Sequence, residues 1–314
     1  MRHPITVAVL LLALTACTTG TASPTAAGAG PVRLAAPLGR VELPEAADRV
    51  VALEWVYAEE LVSLGITPVG VADVEGYAAS APAEPLPAGV ADVGTRPDPR
   101  LDAIGALDPD LVIGSTVRHG DLLPELDAIA PTALFDPHPT ATTRLEEMAA
   151  TFRVVGAAVG RREDAERVLV EMEAVFAAAR GRLDGLEQRD VVMAEGVRDA
   201  GSPVLRPLPD AALAVQVLGE IGLANAWDGP GGATVGPAQL AAVEDATLLH
   251  RVPPGDDVVA DLAGDPAWEG LAFVRDGRVH AVAAGQWPLG GPASAIALVE
   301  DVSTALGRRS ARPG

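Results

Sequence analysis

The sequence predicts an α/β protein of two lobes, each built on a mostly parallel sheet covered by helices. Three observations predict it. Short apolar runs alternate with helical patterns over the first half, two helical patterns follow one another without a strand near the middle, and the alternation then resumes. At 314 residues and 49% hydrophobic composition, the chain can fill the core of one large or two medium α/β units.

Residues 1–16 read as an export leader. Arg2 is the charged head, Ile5 to Leu14 the apolar stretch, and Leu14-Thr15-Ala16-Cys17 a lipobox. That stretch falls short of the roughly 20 apolar residues needed to span a bilayer. Cys17 is the chain's one cysteine, and acylating it after cleavage would hold a soluble domain at a membrane surface. The mature chain then has no internal disulfide open to it, so its stability must come from burial. From Thr18 to about Pro31 the residues are Thr, Ser, Ala, Gly and Pro without periodicity. Residues 17–40 are accordingly expected as a flexible linker, with folding from about Val41.

The first lobe is expected over residues 41–160. Arg49 to Leu53 reads as a buried strand, followed by a helix through Leu64, a stop at Gly65 and a strand from Pro68 to Val71. A short helix at Leu101 to Leu107, a strand at Asp110 to Gly114, a helix at Leu122 to Ile129 and a strand at Thr132 to Phe135 come next. Two helical patterns follow, Arg144 to Val159 and Glu163 to Leu183. In the second, Ala165, Val168, Leu169, Met172, Val175, Phe176, Ala179 and Leu183 recur at three- and four-residue steps, which makes one apolar stripe. At 1.5 Å per residue it would run about 30 Å, long enough to join two lobes over residues 161–185, or to lie as a surface helix on one sheet.

A second lobe is expected over residues 186–308. Its elements are a strand at Asp190 to Ala194, helices at Ala211 to Gly222 and Pro237 to Val243, and a strand at Ala246 to Leu249. Asp276-Gly277 reads as the turn of a hairpin between Leu271–Arg275 and Arg278–Val282. Pro292 to Leu306 reads as the closing helix, with proline in its first turn, before a tail at 309–314.

Composition removes several functions. With 43 acidic against 23 basic residues and a formal net charge of −20, the chain repels a phosphate backbone, so nucleic acid is not an expected partner. There is no lysine, hence no Schiff-base or P-loop lysine. Gly-x-Ser-x-Gly is absent, and the one cysteine is assigned to lipid. His119, His138, His250 and His280 stand alone, without the spacing of metal ligands. Paired carboxylates stay open as a possibility. An enzyme, a cofactor and a metal held directly by protein side chains are therefore not expected.

The scarce aromatic residues, 3% of the chain, are more telling. Trp55, Trp227 and Trp287 each follow a predicted strand, where ligands collect in α/β sheets, so they are candidates for an apolar cleft wall as well as for core packing. Trp268, beside Pro266, is assigned to packing.

Six motifs occur in order. They are Arg49-Val50-Val51-Ala52-Leu53-Glu54-Trp55, Gly65-Ile66-Thr67-Pro68-Val69-Gly70-Val71-Ala72-Asp73, Asp92-Val93-Gly94-Thr95-Arg96, Leu107-Asp108-Pro109-Asp110-Leu111-Val112, Asn225-Ala226-Trp227-Asp228-Gly229 and Phe273-Val274-Arg275-Asp276-Gly277-Arg278-Val279. Together, from about residue 45 to 306, they resemble the ferric siderophore-binding proteins of ABC importers, in particular the ferrichrome and hydroxamate-type receptors. The resemblance implies the two-lobed helical-backbone (class III) fold, in which one long helix joins the lobes. It implies an extracytoplasmic, lipid-anchored monomer that captures an Fe(III)-siderophore between its lobes and delivers it to an ABC permease.

The resemblance also assigns residues. Arg96 takes the place of an arginine that donates to hydroxamate oxygens around iron, a task suited to a planar guanidinium. Trp55, Trp227 and Trp287 fall on pocket positions, and Tyr77 is counted with them. His119, after Arg118, replaces a tyrosine that assists the arginine, and Arg118 favours an acidic ligand group. The loop after Trp227 is shorter, with Gly231-Gly232 where another tryptophan is expected. Asp102 matches the permease-docking carboxylate of the first lobe. The matching helix start in the second lobe, Gly236-Pro237-Ala238-Gln239, has none, so Glu244 or Asp245 would substitute. A receptor of the same fold for cobalamin, haem or a carboxylate siderophore is the nearest alternative. An anchored hydrolase that kept the fold, or an adhesive surface protein, stands behind it.

Overall fold

Strands buried on both faces carry unbroken apolar runs, and the first sheet is made of such strands. The computed structural model describes residues 30–80, 83–252, 256–282 and 290–310, so the expected leader, Cys17 and Trp287 lie outside the described residues. In chain order the strands of the first sheet are Val50–Ala52, Gly70–Val71, Ala91–Asp92, Leu111–Ser115 and Thr132–Phe135, all parallel. Their spatial order is third, second, first, fourth, fifth. The chain winds outward on one side, then returns past its first strand, which leaves a switch point between the first and fourth strands.

The second sheet contains Asp190–Asp199, Ala224–Asn225, Thr247–Arg251 and Val279–Val282 in parallel pairing, ordered third, first, fourth, fifth once Ser202–Pro207 is counted second. Ser202–Pro207 folds back antiparallel on the outer half of Asp190–Asp199. Alternation sorts the side chains of that first strand. Val191 and Met193 enter the largest core, while Val192 and Ala194 face a separate cluster with Leu248 and Phe273.

The chain passes between the sheets once, through helices Arg144–Ala158 and Arg162–Arg182. The first opens on a capping box, in which Thr143 and Glu146 satisfy each other's backbone N–H groups. The second is 21 residues long and buries Ala165, Leu169, Met172, Phe176 and Ala179, the stripe expected from the sequence. The closing helix, Pro292–Ser310, packs along it, with Arg182 donating to Ser303 Oγ at 3.0 Å. The largest core runs without a break from Val50 and Phe135 through Phe176 to Met193 and Leu249, so the two sheets share it. Glu59, on helix Trp55–Ser63, adds a polar fastening. It accepts from Gly291 N–H at 2.9 Å and from Ser294 N–H at 3.0 Å, at the start of the closing helix.

Two expectations need correction. The linker does not extend to residue 40, because Val32–Ala36 and Gly39–Leu43 form an antiparallel hairpin whose Leu34 and Leu43 are buried in the main core. Nor is there a hairpin at Asp276-Gly277. Ala272–Arg275 is one helical turn, and Val279–Val282 pairs parallel with Thr247–Arg251. Gly277, at φ 63°, ends a helix there, since a left-handed glycine serves a helix terminus as readily as a hairpin turn.

Candidate ligand site

The carboxyl ends of parallel strands flanking a switch point leave a crevice that helices do not fill. Four strand ends of the first sheet converge on such a place. Glu54 and Trp55 follow Val50–Ala52, Arg96 lies in the turn after Ala91–Asp92, Arg118 follows Leu111–Ser115, and Pro137 and His138 follow Thr132–Phe135. These residues line one pocket together with Tyr57, Ser115 and Val117.

A single carboxylate joins two of its cations. Arg118 Nε meets Glu54 Oε1 at 2.8 Å, and Arg96 Nη1 approaches Glu54 Oε2 at 3.5 Å. The Arg96 guanidinium also lies over the Trp55 ring, 3.9 Å from its centroid, a cation–π contact. Trp55 is fixed in turn, because its indole N–H donates to the Ala72 carbonyl at 3.1 Å and Tyr77 meets it edge-on with centroids 6.3 Å apart. Side-chain exposure rises from 10% at Glu54 to 20% at Arg96 and 37% at Arg118, so the carboxylate lies deepest and the cations face the opening. Burial pushes the Glu54 pKa up despite both arginines, and burial pulls that of Arg96 down.

His119 does not face the pocket. It is fully buried, and Ser115 N–H donates to its Nδ1 at 3.0 Å, which leaves Nε2 to donate to the Arg96 carbonyl at 2.8 Å. Burial lowers its pKa, so the ring is neutral and suited to that pair of bonds. This corrects its assignment as a ligand contact: it is a strut beneath Arg96. Gly114 makes room for it, since a Cβ there would stand 2.8 Å from His119 Nδ1. Tyr77 is corrected in the same way. It is 2% exposed, donates its hydroxyl to the Glu84 carbonyl, and backs Trp55.

On the second lobe Trp227 follows Ala224–Asn225 and packs half-buried against the core cluster that contains Val192 and Leu205. Its indole N–H is buried without a hydrogen-bond partner among the described residues. The Asn225 side chain holds its backbone from both sides, accepting from Trp227 N–H at 3.3 Å and donating to its carbonyl at 3.2 Å. Trp227 does not line the pocket that holds Trp55, Arg96 and Arg118. The pattern of two arginines about one glutamate recurs on this sheet, where Arg206, Glu195 and Arg251 stand abreast on three adjacent strands. Arg206 Nη1 lies 3.4 Å from Glu195 Oε2.

A profile of the periplasmic binding proteins matches residues 50–284. The chain belongs to that family. It is 30% identical over 273 residues to the iron(3+)-hydroxamate-binding protein FhuD of Escherichia coli, covering 84% of this chain and 88% of that one. It is 28% identical over 255 residues to the Fe(3+) dicitrate-binding periplasmic protein FecB of the same organism, covering 79% and 81%. Among solved structures, Fe3+-Desferal-bound FhuD from Vibrio cholerae superposes with a TM-score of 0.74 at 27% identity, over 82% of this chain and 97% of that one. The class III periplasmic binding protein fold expected from the motifs is therefore the observed one, and these relatives are binding proteins.

Placed in the periplasmic binding protein family, the remaining assignments divide. Asp102 is exposed in the first turn of helix Leu101–Ala106. Glu244 is half-buried and its Oε2 accepts from Ala272 N–H at 2.9 Å at the start of helix Ala272–Arg275, while Asp245 beside it is exposed. Sequence reasoning missed Glu54 and Glu195. A charged residue between the buried Leu53 and Trp55 was the available signal for the first, and strand register alone reveals the second. Among the described residues no His, Cys, Asp or Glu cluster could hold a metal ion, and no helix is long and apolar enough to cross a membrane.

Proposed function

We propose that this periplasmic binding protein captures a ferric siderophore of hydroxamate type between its lobes and hands it to an ABC permease for iron uptake. The supporting observation is Arg96, stacked on Trp55 and held from below by His119, with its guanidinium at the mouth of the switch-point crevice. Hydroxamate oxygens around Fe(III) carry partial negative charge and lie in pairs, which a forked guanidinium recognises, while an indole face covers the organic shell. No covalent bond changes, and recognition alone performs the task. A lipid on Cys17 would tether the monomer outside the membrane, and Asp102 would meet the permease. The relatives that bind iron(3+)-hydroxamate and Fe3+-Desferal favour this ligand class.

Titrating the purified protein with a ferric hydroxamate should quench tryptophan fluorescence. Arg96→Ala should weaken that binding by roughly ten- to a hundredfold, as expected for loss of a charged hydrogen bond. Absence of any response to a panel of ferric hydroxamates would count against the proposal. Arg118 beside Arg96 favours a second reading, a carboxylate siderophore, which ferric citrate in the same panel would reveal.

A further inference from the structure

Glu54 occupies the N-cap position of helix Trp55–Ser63, yet its side chain makes no capping hydrogen bond. Its carboxylate serves the two arginines instead, one oxygen to each. A carboxylate this deep costs desolvation, which the burial-driven elevation of its pKa reflects, and the two adjacent cations oppose that rise. His138 lines the same pocket and is held neutral by burial and by the neighbouring charge of Arg144, although Asp136 opposes this. Asp73 acts on Arg96 from farther off. The pocket wall thus carries two guanidinium ions and one carboxylate, with the carboxylate innermost.

We infer that Glu54 is a built-in counter-anion to Arg96 and Arg118 that sets which ferric complexes the cleft accepts. This rests on the siderophore-receptor reading and adds a selectivity to it. A ferric hydroxamate, whose oxygens are already neutralised by the metal, gains the arginine donors without meeting much repulsion from Glu54. A polyanionic carboxylate complex meets a fixed negative charge directly behind the groups that would bind it, in surroundings where water screens little.

The test is a fluorescence titration of the purified protein with ferric desferrioxamine and with ferric citrate, for the natural chain, Glu54→Gln and Glu54→Asp. Glu54→Gln removes the charge at constant size, and should shift the ratio of the two affinities about tenfold toward ferric citrate relative to the natural chain. The gain should shrink in high salt. Glu54→Asp keeps the charge and should keep the natural preference between the two complexes. A purely structural Glu54 would make both variants weaken both ligands by similar factors, and that result overturns the inference. If the natural chain binds neither complex, the receptor reading itself fails and the selectivity falls with it. If it binds the hydroxamate and Glu54→Gln shows no shift toward citrate, only the selectivity fails.

Discussion

Glu60→Gln should make the protein progressively more stable than the natural chain as pH rises from 5 to 7. Glu60 is 1% exposed on helix Trp55–Ser63, and neither of its carboxylate oxygens has a hydrogen-bond partner among the described residues. Burial, and after it the like charge of Glu59, push its pKa well above the ordinary 4.5. Between 4.5 and that raised value the unfolded chain has released a proton that the folded protein keeps. Each pH unit in that window therefore favours the unfolded state by about 1.4 kcal/mol, so the contribution is fully present below 4.5 and is lost as pH rises. An amide stays neutral at the same volume and removes this slope. The stability difference, variant minus natural, should grow with pH by up to about 1.4 kcal/mol for each pH unit inside that window. Urea denaturation followed by circular dichroism at pH 5, 6 and 7 measures it. A difference that stays flat across the three pH values would refute the assignment of Glu60 as a buried carboxyl that keeps its proton.

Two further substitutions probe the supports of the site. Gly114→Ala places a methyl group 2.8 Å from His119 Nδ1 and 2.9 Å from Leu134, so it should cost about 1–3 kcal/mol and weaken ferric hydroxamate binding by releasing the Arg96 carbonyl; a folded variant with undiminished affinity would remove His119 as the strut. Glu59→Ala deprives Gly291 and Ser294 of their acceptor and should destabilise by about 2–4 kcal/mol. Amide exchange at those two residues should quicken, and unchanged exchange there would show that the fastening is not Glu59.

Much of the fold was legible because local pattern and tertiary role agree. The stripe of Ala165, Leu169, Met172, Phe176 and Ala179 is a helical face wherever it packs, and the strand around Leu111 is apolar throughout because it is covered on both sides. Misreadings fell where one pattern fits two structures. The run Leu271 to Arg275 suits a buried strand or a single helical turn, and the Asp276-Gly277 pair suits either continuation. The Val32–Ala36 strand was hidden by its two alanines and by the low-complexity stretch before it. Trp55 was legible as a strand-end residue, and Arg96 and Arg118 through the resemblance that the motifs carry. Glu54 was not, because its partners come from two other strands and only the doubly wound order brings them together. His119 was misassigned for the same reason, since nothing local tells a pocket histidine from one that bonds backward to a neighbouring turn.

The unbroken apolar body from Val50 through Phe176 to Leu249 bears on how cargo leaves. Swinging the halves wide apart would wet that body, at about 25 cal/mol for each Å² uncovered. A shared core of this kind therefore opposes wide opening of the two halves.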